Sequence, residues 1–522
     1  MQRLVSVMTE DPVCVFAREH FGINYLFPYQ RLVIANVLDA INYSDDERLN
    51  QLVILPTGAG KSLCFQLPAA LCPGISLVIF PLLGLMADQA RRISSTGIEM
   101  ATLKGAMEKG ERQAAFRAIS SGKAKLVLSN PETLKNPDVK KLLAESGITH
   151  FVIDEAHCAS EWGESFRPAY LCFEEQIEYI KPKIVTAFTA TASPPVLSRV
   201  TKIIFGKKPY QLISGMPDRP NIHYNVIKTL SMKHSLKESV MAAQKPAIIF
   251  AQSRKAVEIL AEDIIHSIPD IDCRFYHAGL EKQERANIEK WFMTSKDGVL
   301  CATCAYGMGM DKADIRSVIH YGNSTSIEAY LQEAGRAGRD GKESHAIVLC
   351  KPGHLQDHEE PSPPQSGKDN SKTVNAPEWS SINLARRNMM LRYVDSSPVC
   401  RRLFLLKALG YSEADSLVCS GCDVCNGSEK RSVDGMEEIL ALVKKNPRRF
   451  TIRDLSSFIH GKLHPALPYK NSLAEKWTQE ETEEAIYTLI ENGHIYKNAS
   501  GLWKDRLVGS SKNSFSFSRY PL

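Results

Sequence analysis

The chain has 522 residues, 43% of them hydrophobic, and 64 Lys and Arg against 59 Asp and Glu give a formal charge of +5. That length allows two or three hydrophobic cores, and with no run of about 18 apolar residues a helical membrane span is not expected. The near-balance of charge admits nucleic acid as a partner only where positive charge is gathered locally. Glu10 and Asp11 stand where a secretory leader would be basic and then apolar, so the thirteen cysteines are expected in a reducing compartment, as thiols and metal ligands rather than disulfides.

In chain order, LVIL (52–55), SLVIF (76–80), KLVLS (125–129), FVID (151–154) and IVTAF (184–188) read as buried parallel strands. A second series follows: AIIFA (247–251), CRFYH (273–277), GVLCA (298–302), SVIHY (317–321) and AIVLC (346–350). Helix-period segments such as SRKAVEILAEDII (253–265) separate them. Two successive βα sheets are the simplest account, an α/β chain with lobes at 1–208 and 209–352. Residues 353–378 are polar and Pro-rich and read as a disordered linker. A helical, basic, cysteine-bearing segment is expected at 379–428. A compact module of three helices and a short hairpin is expected at 429–507, with Thr451 as a helix N-cap. A frayed tail at 508–522 follows, and no further accessory domain is expected after it.

TGAGKS (57–62) follows a strand and precedes an apolar helix, the setting of a phosphate-binding loop. Backbone N–H groups of Thr57, Gly58, Ala59 and Gly60 and the helix dipole favour phosphate there. Lys61 is expected on the β- and γ-phosphates of ATP, and Ser62 on magnesium. Leu55 stands where the strict pattern has Gly, so the loop alone is a moderate signal. FVIDEAH (151–157) places two acids at a strand end. Asp154 is suited to hold magnesium and Glu155 to orient the attacking water. Far downstream, QEAGRAGRDG (332–341) carries Arg336 and Arg339, which can face the same phosphate from the second lobe. The glycines there argue for close backbone approach rather than a plain basic helix face.

With these residues together, the chain resembles the RecQ family of superfamily 2 DNA helicases over roughly residues 15–507. FPLLGLMADQ (80–89), AFTATA (187–192) and YGMGMDKADIR (306–316) resemble its motifs Ia, III and V, and QEAGRAGRDG resembles motif VI. DEAHCASEWGESFRPAY (154–170) resembles motif II followed by the family's aromatic-rich loop. The resemblance implies two tandem RecA-like lobes, a helical zinc-binding segment and a winged helix that grips duplex DNA. It also implies ATP-dependent 3′-to-5′ translocation on single-stranded DNA with strand separation, in repair or recombination. Gln30 and Gln332 join the expected ATP contacts. Trp162, Phe166, Arg167 and Tyr170 offer stacking and charge to a single strand, the alternative being that the aromatics pack beneath the loop; Ser253, Arg254 and Lys312 are the remaining expected DNA contacts. Ile23 and Phe27 replace the family's aromatic and Arg before the phosphate loop, so looser adenine selectivity is expected, with Tyr25, Phe27 or Tyr29 as substitutes for stacking. The implied partners are single-stranded and tailed duplex DNA, with single-stranded-DNA-binding or repair proteins, for a monomer in the cytoplasm or nucleoid, or in a nucleus.

Cys400, Cys419, Cys422 and Cys425 form C-x18-C-x2-C-x2-C. Four thiolates suit a closed tetrahedral zinc site of structural type, with a redox or iron–sulfur role as the alternative. Cys301 and Cys304 share a CxxC spacing inside a strand and are expected to be core thiols. Two other functional readings stand beside the helicase: an ATP-driven translocase or RNA helicase that leaves DNA strands paired, and a DNA-binding protein with a silent motor. The presence of Lys61, Asp154, Glu155, Gln332, Arg336 and Arg339 argues against the last.

Overall fold

The computed structural model describes residues 11–42, 50–56, 58–162, 167–307, 312–353, 376–411, 417–429, 433–463 and 472–510, and in it the apolar runs lie side by side as parallel strands. β1 (Asn50–Ile54), β2 (Ile75–Ile79), β3 (Met100–Thr102), β4 (Leu126–Ser129), β5 (Ile148–Ile153), β6 (Ile184–Thr189) and β7 (Tyr210–Ser214) form one sheet in the order β3-β4-β2-β5-β6-β1-β7. β8 (Ile222–Lys228), β9 (Ala247–Phe250), β10 (Cys273–Tyr276), β11 (Val299–Ala302), β12 (Ser317–Tyr321) and β13 (Ser344–Cys350) form a second, in the order β10-β11-β9-β12-β13-β8. A strand covered on both faces needs apolar side chains in both directions. Leu77 and Ile79 accordingly enter one core with Phe151 and Ile153, while Val78 and Phe80 enter the other with Val152 and Phe188. Ile248, Leu300 and Val318 divide in the same way from Ile249, Val299 and Ile319 in the second sheet. These are the two RecA-like lobes.

Three expectations need correction. The first sheet runs past residue 208, because β7 pairs with β1 from Asn50↔Tyr210 to Ile54↔Ser214. Only Ile213 of β7 is buried, so this edge strand has no apolar run to betray it. Cys301 is a core thiol, but Cys304 is exposed, because the strand ends at Ala302 and a 3-10 turn at Cys304–Gly307 follows. The linker expected at 353–378 lies outside the described residues from 354 to 375, and a helix already begins at Ala376.

Helices Ala376–Val394 and Arg401–Ala408 send Tyr393, Phe404 and Leu405 into the same core as Tyr330 and Val348 of the second lobe. The cysteine loop lies along the open edge of β8: Tyr224 N donates to Gly421 O (3.4 Å) and Asp423 N to Tyr224 O (3.1 Å). An edge strand left bare invites unwanted pairing, and this loop covers it. The last module contains helices Met436–Lys445, Ile452–Ile459, Leu473–Lys476 and Gln479–Glu491, then an antiparallel hairpin of β14 (Ile495–Lys497) and β15 (Leu507–Gly509). Thr451 with Asp454 and Thr478 with Glu481 form capping boxes at two of these helices. Ile439, Leu455, Trp477, Leu489 and Leu507 make its core. Glu484 ties it to the second lobe by capping helix Met232–Ala242: its carboxylate accepts from Met232 N (3.1 Å), Lys233 N (3.3 Å) and Ser231 Oγ (2.7 Å). Among the described residues no helix is long and apolar enough to cross a membrane.

Candidate active site

Parallel strands place everything that follows their carboxyl ends on one edge of the sheet, where α/β proteins bind ligands. The phosphate loop follows β1, the DEAH acids follow β5, and Thr189 to Thr191 close β6, which lies between them. Gly58 and Gly60 take positive φ values of +87° and +73°. A Cβ on Gly60 would lie 2.5 Å from Gln30 Nε2. The Gln30 amide donates to Ala59 O (3.1 Å) and Gly60 O (3.3 Å) and accepts from Phe27 N (2.9 Å). Gln30 therefore buttresses the loop here. Thr57 lies outside the described residues, and Ser62 is the N-cap of helix Leu63–Leu71.

Lys61 Nζ is buried, finds no hydrogen-bond acceptor among the described residues and lies 3.7 Å from Glu155 Oε1. Burial, and then the Glu155 charge, push the Asp154 carboxyl up to about 7. Burial would raise Glu155 as well, but positive charge around it, Lys61 foremost, holds it below its ordinary value. A buried ammonium without an acceptor fits an anionic phosphate, and a carboxyl whose charge is disfavoured by burial fits a cation. The residues thus suit a magnesium–nucleotide, with Ser62 and Asp154 as the oxygen donors toward the metal.

A hydrogen-bonded chain joins the two lobes at this edge. Gln332 Nε2 lies 3.0 Å from His157 Nε2 and 3.3 Å from Thr191 Oγ1. His157 Nδ1 lies 3.0 Å from Thr189 Oγ1, whose own hydrogen goes to Thr191 O (3.1 Å). His157 Nε2 accepts from the Gln332 amide in this chain, leaving Nδ1–H to donate. Arg336 is buried, and burial followed by the Arg339 charge lowers it to about 10. Gln332, four residues before Arg336, is the contact that sets this run opposite the acids. His157, Thr189 and Thr191 stand inside the DEAH and TAT runs, yet only the closed cleft shows that they connect the acids to Gln332.

The expected base-recognition region is an aromatic stack. Phe27 lies on Tyr29 with centroids 5.4 Å apart, and Tyr25 meets Phe27 edge-on at 5.5 Å. Tyr25 and Phe27 are exposed at 64% and 48%, leaving faces open beside the phosphate loop. Ile23 packs against the apolar cluster of Ala17 and Leu26 instead.

The expected DNA contacts divide. Ser253 and Arg254 are exposed at the start of the helix after β9. Arg167 donates to Pro81 O and pairs with Glu132 at 3.4 Å. Tyr170 does not form a stacking surface: it is 1% exposed and packs edge-on against Phe173, since the 3-10 turn Pro168–Cys172 turns it into the first lobe's core. Lys312 is likewise buried, its ammonium taken by Ser295 O (2.8 Å), Met293 O (3.3 Å) and Asp314 (2.9 Å). The side chains of Trp162 and Phe166 lie outside the described residues.

The sulfurs of Cys400, Cys419, Cys422 and Cys425 all lie within 4.8 Å of one another. A tetrahedral ion bound at about 2.3 Å needs sulfurs about 3.8 Å apart, and Cys400 and Cys422 are 3.9 Å apart. The cluster can hold a four-thiolate metal ion.

Residues 27–200 match the DEAD/DEAH box helicase family and residues 231–341 the helicase conserved C-terminal domain. The chain is 31% identical over 450 residues to the ATP-dependent DNA helicase RecQ of Pasteurella multocida, covering 84% of this chain and 67% of that one. It is 33% identical to the ATP-dependent DNA helicase RecQ of Haemophilus influenzae, covering 74% and 60% respectively. Among solved structures, the DUF1998 helicase MrfA bound to DNA superposes with a TM-score of 0.54 at 18% identity, covering 98% of this chain and 60% of that one; this likeness concerns the fold. The match spans 67% and 60% of the length of these two curated relatives.

Proposed function

Because the chain belongs to the RecQ family of ATP-dependent DNA helicases, we propose that it hydrolyses ATP between its two lobes. We propose further that it uses the cycle to move 3′ to 5′ along single-stranded DNA and part duplex strands, in repair or recombination. The observation that carries this reading is the contact of Gln332, in the run that bears Arg336 and Arg339, with His157 beside Glu155 and Lys61 across the cleft. Lys61 and the loop N–H groups bind the phosphates. Glu155, kept ionised chiefly by Lys61, orients the attacking water and accepts its proton. Arg336 and Arg339 stabilise charge on the transferring phosphoryl group, a role worth about 10³–10⁵ in rate. Magnesium on Ser62 and Asp154 would supply further charge neutralisation at the phosphates. Because Gln332 and the arginines belong to the second lobe, ATP binding closes the cleft and hydrolysis releases it, which is the stroke of a motor.

The four cysteines are proposed as a structural zinc site, and the helix-and-hairpin module as a winged helix for duplex DNA. The deciding experiment measures ATP turnover with and without single-stranded DNA, together with release of a labelled strand from a 3′-tailed duplex. Stimulated turnover with strand release supports the helicase. Stimulation without release means a translocase, and no response to DNA refutes the choice of substrate. Zinc in the purified chain is counted in parallel: one equivalent in wild type and a sharp loss in Cys422→Ser are expected, while a full equivalent in the variant moves the metal elsewhere.

A further inference from the structure

Arg336 and Arg339 sit on a turn whose own support comes from outside the motif. Arg219, in the connection between β7 and β8, places its guanidinium against three carbonyls of that turn. Nη1 donates to Gly335 O (3.2 Å), and Nη2 to Ala337 O (3.2 Å) and Gly338 O (2.9 Å). These carbonyls lie at the carboxyl end of helix Ile327–Ala334 and just beyond it, where acceptors lack helical donors and a positive charge is favoured by the dipole. Two residues on, Asn221 Nδ2 donates to Gly338 O (2.8 Å) and Lys342 O (2.9 Å). The turn is closed tightly around these groups: Gly338 has φ +55°, and a Cβ there would lie 2.4 Å from Asn221 Nδ2.

The segment that carries Arg219 is itself held by the cysteine segment. Arg402, 3% exposed, donates from Nη1 to Asp218 Oδ1 and Arg219 O (2.9 Å), and from Nη2 to Ile222 O (2.7 Å). Ser420, next to Cys419, donates from Oγ to Pro220 O (2.6 Å) in the same segment. Hydrogen bonds therefore run from Arg402 and Ser420 of the cysteine segment to residues 218–222, and from Arg219 to the arginine turn.

We propose that Arg219 is a positioning residue that holds Arg336 and Arg339 at the nucleotide, and that Arg402 holds Arg219 in place. The proposal rests on the reading of Arg336 and Arg339 as phosphate-facing. The fork of a guanidinium engages three fixed carbonyls at once, which a point-charge ammonium cannot reproduce. A displacement of about 1 Å in a group that must meet a transition state costs up to about 100-fold in rate.

The test uses the full chain with saturating single-stranded DNA, comparing wild type with R219Q, R219K, R402K, R336Q and the double variant R219Q/R336Q. R219Q is expected to lower kcat about 10- to 100-fold while KM for ATP, DNA affinity and melting temperature stay near wild type. R219K is expected to recover part of kcat, and R402K to lower it less than R219Q does. The double variant should lose much less beyond R336Q than R219Q loses from wild type, the remainder being the share carried through Arg339. Wild-type kcat in both R219Q and R219K overturns the proposal, as do losses that multiply in the double variant. Wild-type kcat in R336Q is a separate result: it removes the phosphate-facing role on which the proposal depends.

Discussion

Replacing Arg401 by Met probes how the cysteine segment is fastened to the second lobe. Arg401 is 1% exposed, and its five N–H donors all find acceptors. Nε and Nη2 donate to Asp423 (3.0 and 3.4 Å), Nη2 also to Glu429 (3.0 Å), and Nη1 to Tyr393 O (3.0 Å) and Ser396 Oγ (3.1 Å). Asp423, 4% exposed, in turn accepts from Val226 N of β8 at 2.9 Å, so the pair bridges the sheet edge and the thiol loop. Removing one partner of a buried pair typically costs about 3–5 kcal/mol, because the other charge is left without compensation. Asp423 keeps two backbone donors, Val226 N and Val424 N (2.8 Å), which places the expected cost near the lower bound, about 3 kcal/mol. The consequence is local opening of the β8 edge, and native-state hydrogen exchange reads it directly. Protection of the Val226 and Asp423 amides should fall about 150-fold in Arg401→Met, the equivalent of about 3 kcal/mol. Asp423→Asn on top of it should restore part of that loss by removing the stranded charge. A folded Arg401→Met protein with protection within about threefold of wild type would refute the reasoning.

Lys61→Ala should reduce ATP turnover to background while DNA affinity persists; retained turnover would mean that the buried ammonium does not meet phosphate. ATP, GTP and CTP should support DNA-stimulated hydrolysis with kcat/KM values within about tenfold, because the Gln30 amide is engaged by the phosphate loop and by Phe27 N, and the exposed Phe27 offers only a ring face. A preference for ATP beyond about 100-fold would show that the base edge is read. Glu484→Ala should loosen the last module from the second lobe by about 2 kcal/mol, combining a lost helix cap with lost dipole compensation. Faster exchange of the amides at 234–236 would report it, and unchanged exchange would place the module's attachment elsewhere.

The sequence by itself determined the two-lobe plan, the phosphate loop, the acid pair, the arginine run and the thiol cluster. Each is local: a strand buried on both faces must be a continuous apolar run, and a loop that cradles phosphate needs its glycines and lysine side by side. C-x2-C-x2-C brings three thiols together within seven residues whatever surrounds them. The edge strand β7 escaped because a strand with one neighbour needs little apolar surface, and only Ile213 of it is buried. Tyr170 and Lys312 look in sequence like groups offered to DNA, yet a 3-10 turn and a trio of oxygen acceptors hold them inside. Such burial depends on which backbone atoms arrive from elsewhere in the chain. The tertiary structure alone decided the connections: His157 to Gln332 across the cleft, Arg219 to the arginine turn, Arg402 to the segment that carries Arg219. A guanidinium seeking carbonyl oxygens leaves no pattern in its own neighbourhood, because its acceptors are backbone atoms that every residue possesses, and only folding selects which of them come within reach.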